Sequence, residues 1–245
     1  MSMDNNSWSL WKAVLATFSD IAAMRANMAY ASGQTEKARK MLERCIAKKT
    51  KNPVVYSNYA DLKLREGDGQ AALECLQTAL SLKPYAMQEK TIRHAIGTAH
   101  WLAGDHAQAI AALEQMRADY EYVNESVLTT LGYLYFVEGN LDKAQELTDM
   151  ALAEVPNYAA AWDNRGQILF AQNDLEQAKE AFGKALEQKP SLVDSLFGMG
   201  LIHEVEGNHE AAADCFRQAM DAPRTALNTV TEAQLAEKLE EYVKG

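Results

Sequence analysis

Tiny and apolar residues recur along this chain with a period of 34 positions. Sliding the segment 159–192 by one period carries Gly166 onto Gly132 and Gly200, and Ala178 onto Ala144 and Ala212. It carries Ala185 onto Ala151 and Ala219, Phe182 onto Phe216, and Pro190 onto Pro156. With small slips the register runs upstream and sets units at 19–52, 53–86, 90–124, 125–158, 159–192 and 193–226. Their eighth residues are Ala26, Ala60, Gly97, Gly132, Gly166 and Gly200, and their twentieth are Ala38, Ala72, Ala109, Ala144, Ala178 and Ala212. Small residues at fixed spacing let two helices approach closely, and Leu42, Leu76, Leu113, Phe182 and Phe216 supply the bulk that fills the next gap.

The middle of each unit predicts a turn between two helices. The fifteenth residues, Gly33, Gly67, Gly104, Gly139, Asn173 and Gly207, suit the left-handed conformation that ends a helix. The next positions hold Gln34, Asp68, Asp105, Asn140, Asp174 and Asn208, and all but Gln34 are good N-caps for a second helix. Pro84, Pro156 and Pro190 then stop that second helix.

Both ends depart from the repeat. Trp8, Trp11, Leu15 and Phe18 share one helical face within residues 1–18. Residues 227–245 read as a C-terminal capping helix, opened by a Thr231–Gln234 capping box. Leu235, Leu239 and Val243, four residues apart, would cover the open end of the array.

The pattern W-x2-L-G-x2-Y, then Ala, Phe, Ala and Pro, resembles the tetratricopeptide repeat. Trp162, Gly166, Ala178, Phe182, Ala185 and Pro190 carry it in the fifth unit. Leu128, Leu131, Gly132, Tyr135, Ala144, Ala151 and Pro156 carry it in the fourth. It extends over about 19–226 and weakens in the first unit and in the third, where Arg93, His100 and Met116 depart from it. The resemblance implies an all-α, right-handed superhelical solenoid whose first helices line a concave groove for a peptide or protein segment. Its groove positions fall here on Asn27, Tyr30, Ser57, Asn58, Asp61, Leu64, His94, Thr98 and Trp101. Further along they fall on Thr129, Tyr133, Phe136, Asp163, Asn164, Gln167, Phe170, Phe197 and Glu204. Aromatics would supply contact area there, amides would bond an extended backbone, and the acids would favour a neutral-to-basic partner. Positions that hold Lys and Arg in family members gripping acidic chaperone tails hold neither here, so that clamp is not expected.

Charge adds a second feature. The chain carries −10 over 245 residues, 48% of them hydrophobic. Residues 1–52 hold nine Lys/Arg against four Asp/Glu, whereas the remainder is strongly acidic. An acidic body argues against a nucleic-acid partner. Lys37, Arg39, Lys40, Arg44, Lys48, Lys49 and Lys51 crowd the second helix of the first unit as a candidate anionic-surface patch. The expected function is therefore an interaction scaffold or adaptor. The alternatives are an assembly protein docked on a membrane surface through this basic unit, or a scaffold that self-associates through its end helices.

Catalytic chemistry finds no support. His100 and His203 occupy one repeat position, and His106 and His209 another, which suits packing and turns better than metal binding. No phosphate loop, nucleophile elbow or zinc spacing occurs, so neither catalytic residues, metal nor cofactor is expected. Cys45, Cys75 and Cys215 sit at helix-packing positions. Widely spaced cysteines, no long apolar run and no signal-like N-terminus together predict a protein that is cytoplasmic or peripheral at a membrane, without a spanning segment.

Overall fold

The computed structural model describes residues 20–120, 123–223 and 230–243, and these form helices and turns with no strand among them. The helices are α1 (20–31), α2 (Thr35–Ala47), α3 (Pro53–Arg65), α4 (Gly69–Ser81), α5 (Ala86–Leu102) and α6 (His106–Asp119). They continue with α7 (Glu125–Val137), α8 (Leu141–Glu154), α9 (Ala159–Ala171), α10 (Leu175–Gln188), α11 (Val193–Val205), α12 (His209–Asp221) and α13 (Glu232–Val243). The face of Trp8, Trp11, Leu15 and Phe18 lies outside the described residues.

The turns inside the helix pairs follow from local chemistry. Gly139 adopts φ of 77° after α7, a conformation that would strain a side chain. Asn173 holds the same place after α9 with φ of 62°, as Asn tolerates left-handed backbone. Each turn then hands over to a cap. The side chains of Asp68, Asp105, Asn140, Asp174 and Asn208 accept hydrogen bonds from Ala71, Gln108, Lys143, Gln177 and Ala211 backbone N–H groups at 3.1–3.3 Å. Gln34 makes no such bond; its Oε1 accepts from Lys37 Nζ at 2.9 Å instead. Such caps contribute about 1 kcal/mol each. Helix ends are equally local: α8 and α10 stop just before Pro156 and Pro190.

The chain divides into two compact bodies, residues 1–112 and 113–245. In the first, Leu42 packs among Ala23, Ala26, Ala38, Val55 and Leu62, and Leu76 among Tyr56, Ala60, Ala72, Ile92 and Ala99. Gly69 opens α4 against the end of α5, where a Cβ would lie 2.5 Å from the Ala99 carbonyl oxygen. Helix α5 begins at Ala86, ahead of residue 90, and Arg93 there pairs with Glu89 one turn earlier at 2.8 Å.

In the second body, Phe182 packs with Ala178 and Ile202, and Phe216 with Val193, Leu196, Ala212, Ala219, Val230 and Leu235. The six alanines at the twentieth position of the repeat, from Ala38 to Ala212, are all fully buried. Each buried Leu or Phe at these junctions stabilises by about 1.5–3 kcal/mol.

Helix α13 closes the second body. The Thr231 N–H donates to Gln234 Oε1 at 2.8 Å and the Gln234 N–H to Thr231 Oγ1 at 3.2 Å, a reciprocal capping box. Leu235 is fully buried and Leu239 packs beside it, together with Tyr242. The side chain of Val243 lies outside the described residues.

A candidate recognition cleft on the first helices

Helices α7, α9 and α11 are the first helices of consecutive pairs in the second body, and two adjoining pockets lie along them. The more polar pocket, of about 200 Å³, is lined by Ser126, Thr129, Thr130 and Tyr133 of α7 and by Ala160, Asp163 and Asn164 of α9. Asp194 of α11 completes it, with Tyr158, Lys189 and Leu192 from the connecting segments. Most of the lining polar side chains are out of solvent: Thr129, Thr130, Asp163, Asn164 and Asp194 are each at most 8% exposed.

Hydrogen bonds explain how these polar groups tolerate burial. The Asn164 amide donates to the Thr129 carbonyl at 2.8 Å, tying α9 to α7. Asp163 accepts from the Ser195 hydroxyl on α11 and from the Gln167 amide at 2.8 Å. Asp194 accepts from the Val230 N–H at 3.2 Å, which ties the lead into α13 to α11. Thr129 Oγ1, by contrast, is buried with no hydrogen-bond partner. Burial and then the charge of Asp194 push the Asp163 carboxyl up to about 7, against the opposing pull of Ser195, Gln167 and Lys189.

The second pocket, of about 240 Å³, is apolar. Phe136, Phe170, Phe197, Phe182 and Leu201 form its walls, with Gln167 and Asp194 at its polar side and Val230 and Gln234 at its end. Asp194 lines both pockets, so the two adjoin at this side chain. The structure thus brings Thr129, Tyr133, Phe136, Asp163, Asn164, Gln167, Phe170 and Phe197 together. The sequence reading missed Ser126, Thr130 and Asp194, although the repeat register puts them on the same face of their helices. It also missed Lys189, at the end of α10, which has no repeat signature.

Glu204 has a different place. Its carboxylate accepts from Lys238 Nζ at 2.9 Å and Tyr242 Oη at 2.7 Å, both on α13, and all three line a separate pocket of about 540 Å³ with His209 and Glu241.

In the first body the corresponding residues mostly bond one another. The Asn58 amide donates to Asn27 at 3.0 Å, and Ser57 donates to the Val54 carbonyl. Tyr30 donates to Asp61, which also accepts from Arg65 at 2.7 Å. Burial, then Asp61, pushes the Tyr30 phenol up to about 12. Leu64 is buried in the core around Leu76. His94 and Thr98 are half-buried on α5, with burial pushing the His94 imidazole down. Trp101 stacks on His106 across the turn, ring centroids 4.2 Å apart.

The basic residues of α2 and its C-terminal turn are largely in solvent. Lys37, Lys40, Arg44, Lys48, Lys49 and Lys51 are exposed, whereas half-buried Arg39 is held by Glu36 and Glu66. By helical spacing Lys37, Lys40, Arg44 and Lys48 share a face. Ile21, Met24 and Met28 are exposed on α1. Burial raises the thiols of Cys45, Cys75 and Cys215, keeping them protonated. Among the described residues no three His, Cys, Asp or Glu converge to hold a metal, and no helix is long and apolar enough to cross a membrane.

Comparison with known proteins follows the same lines. Family profiles described as tetratricopeptide repeat match residues 53–121, 100–168 and 159–192, together more than half of the chain. No curated protein sequence matches. Among solved structures, a tetratricopeptide repeat protein from Parabacteroides merdae is similar with a TM-score of 0.71 and 16% identity, over 91% of this chain and 83% of that one. PilW, a type IV pilus biogenesis factor, is similar with a TM-score of 0.67 and 21% identity, over 92% of this chain and 98% of that one. Human IFIT1, solved as a dimer with PPP-AAAA, gives 0.64 and 20% identity over 85% of this chain and 50% of that one. At these identities the likeness is one of fold.

Proposed function

Because this chain belongs to the tetratricopeptide repeat family, a family of interaction scaffolds, we propose that it holds an extended segment of another protein in the cleft of α7, α9 and α11. One observation carries the reading. Eight polar residues are buried among the described residues, and six of them, Thr129, Thr130, Asp163, Asn164, Asp194 and Ser195, gather at this cleft. Buried polar groups are costly unless bonded, at about 1–3 kcal/mol for each one left unsatisfied. A core selected only for packing would hold apolar residues here. A peptide backbone in the cleft gives Thr129 Oγ1 a partner and adds to the bonds that the other groups already make, while an apolar side chain fills the adjoining pocket of phenylalanines. The repeat suits this task by supplying rigid helices that hold such side chains in place before the partner arrives.

Affinity purification from a lysate of the native source tests the reading. Wild type and a Phe136→Ala/Phe170→Ala variant, matched in helicity by circular dichroism, are compared. A protein recovered by wild type and lost with the variant supports the cleft. Equal recovery places binding elsewhere on the chain.

A second reading rests on two exposed features of the first body, the basic face of α2 and the apolar residues Ile21, Met24 and Met28 of α1. In it the first body docks on an anionic membrane surface while the second body recruits partners.

A further inference from the structure

The two pockets differ in chemistry and share one residue, which restricts the segment they can hold together. Two carboxylates, Asp163 and Asp194, face the polar pocket, and Lys189 at its rim is the one cation among the lining residues of either pocket. A carboxylate offers about four acceptor sites. Asp163 uses two of them, for Ser195 and Gln167, so it retains capacity toward the pocket. Thr129 Oγ1, on the facing helix, is buried without a partner and can accept from a donor that enters. The apolar pocket beyond Asp194 has the volume of about one large side chain and four phenylalanines along its walls.

We propose that the bound segment carries a Lys or Arg whose cation rests on Asp163 and Asp194, with a bulky apolar side chain close by in sequence that enters the Phe136–Phe170–Phe197 pocket. The proposal rests on the reading of this cleft as a peptide site. An acidic segment is disfavoured, because it would bring a third negative charge onto two poorly solvated carboxylates. A wholly apolar segment takes the remaining water from both carboxylates and offers them no new bond in return. A cation replaces the water they lose, and Asp194, common to both pockets, sets the two side chains near one another. That burial already holds Asp163 partly protonated near neutrality is consistent with a site short of positive charge.

Phage-displayed random linear peptides, selected on the full chain, test this. The expected consensus has Lys or Arg within a few positions of Leu, Met or Phe. A synthetic peptide of that sequence should lose roughly tenfold or more in affinity when its basic residue is replaced by norleucine. It should lose similarly on the Asp163→Asn/Asp194→Asn protein. The norleucine arm reads the same contact with the protein unaltered, so misfolding of the variant cannot imitate it. A consensus without basic residues that is still lost on Phe136→Ala/Phe170→Ala overturns the proposal and leaves the cleft standing. No enrichment, or a consensus indifferent to changes in both pockets, overturns the proposal and the cleft reading together.

Discussion

The ring of Phe182 occupies the space that a side chain on Gly166 would need: a Cβ there would lie 2.4 Å from Cδ1. The opposite edge of the ring meets Gly198 in the same way, at 2.5 Å from Cε2, so the ring is clamped between α9 and α11. Phe216 repeats the contact against Gly200 at 2.4 Å. Gly166→Ala gains up to about 1 kcal/mol of helix propensity. It loses more, because the ring cannot move away from one glycine without striking the other. Overpacking of this kind costs about 1–3 kcal/mol. Net destabilisation on chemical denaturation is expected, partly relieved in Gly166→Ala/Phe182→Leu. Gly183, in α10 with nothing near its missing Cβ, is the control: Gly183→Ala should stabilise by about 0.5–1 kcal/mol. If both alanines shift stability alike, the clamp is not what holds these helices.

Asp163 should make stability depend on pH in the direction opposite to a salt-bridged acid. Its carboxyl stands at about 7 in the folded chain against an ordinary value of 3.8. Between these values the folded state binds more protons than the unfolded one, so stability falls as pH rises through this window. The slope contributed is about 1.4 kcal/mol per pH unit at its steepest. The groups that face this carboxyl are Asp194, Lys189, Ser195 and Gln167. Denaturation midpoints measured from pH 4 to 8 should show that slope flattened in Asp163→Asn, with the variant gaining most above pH 7. An unchanged profile means that the carboxyl is solvated.

What the sequence made legible was local or periodic. The turns around Gly139 and Asn173, the caps from Asp68 to Asn208 and the Thr231–Gln234 box depend on residues within a few positions of one another, so residue type alone announces them. Gly166, Gly200 and Phe216 were legible because the period sets them in register. Gly198 was not: two positions from Gly200, it faces the preceding pair of helices, a direction that one unit's pattern does not contain. The candidate cleft was legible as positions and as an aromatic, acidic character, and not in how its polar groups bond one another. Asn58 bonds Asn27, Tyr30 bonds Asp61, and Glu204 bonds α13, so groups that the register offers to a partner also bridge helices. Whether such a residue bridges or stays available depends on what the neighbouring helix presents 31 to 38 residues away.

Helix α13 is held on the second body by an apolar anchor more than by its ion pair. Leu235 is fully buried among Val193, Leu196 and Phe216, whereas Lys238 and Glu204 keep part of their side chains in water. Leu235→Ala should cost about 2–5 kcal/mol. Lys238→Ala should cost about 1 kcal/mol or less, as pairs that keep access to water do, and Tyr242 Oη still donates to Glu204. Hydrogen exchange provides the local readout, with α13 amides losing protection first in Leu235→Ala. Equal losses in the two variants would put the ion pair on a par with the core.

Membrane docking through the basic face makes a separable prediction. Wild type should float with vesicles containing anionic lipid, and less so as salt rises, since each exposed Lys or Arg contributes about 1 kcal/mol near such a surface. Replacing Lys40, Arg44 and Lys48 by Glu should abolish flotation and leave cleft binding intact. Wild type that stays with the soluble fraction at low salt ends this reading.

If a cation sits on Asp163, binding and stability must respond to pH with opposite signs. The ligand's charge favours the ionised carboxylate, yet below about pH 7 much of Asp163 is protonated in the free protein. Binding there has to expel a proton, so affinity falls by up to tenfold per pH unit as pH decreases below that value. Above it the carboxylate is already ionised and affinity levels off, well short of the pH at which Lys loses its charge. A basic peptide selected on this protein, titrated between pH 5 and 8.5 by calorimetry in buffers of different ionisation enthalpy, should show tighter binding toward high pH. Proton release should appear only in the acidic half. The norleucine peptide should lose both effects, since nothing in it distinguishes the two forms of the carboxyl. Asp163→Asn should also lose them while retaining the apolar contact. Affinity that is flat across this range would mean that the basic residue meets solvent, and that the apolar pocket alone selects the partner.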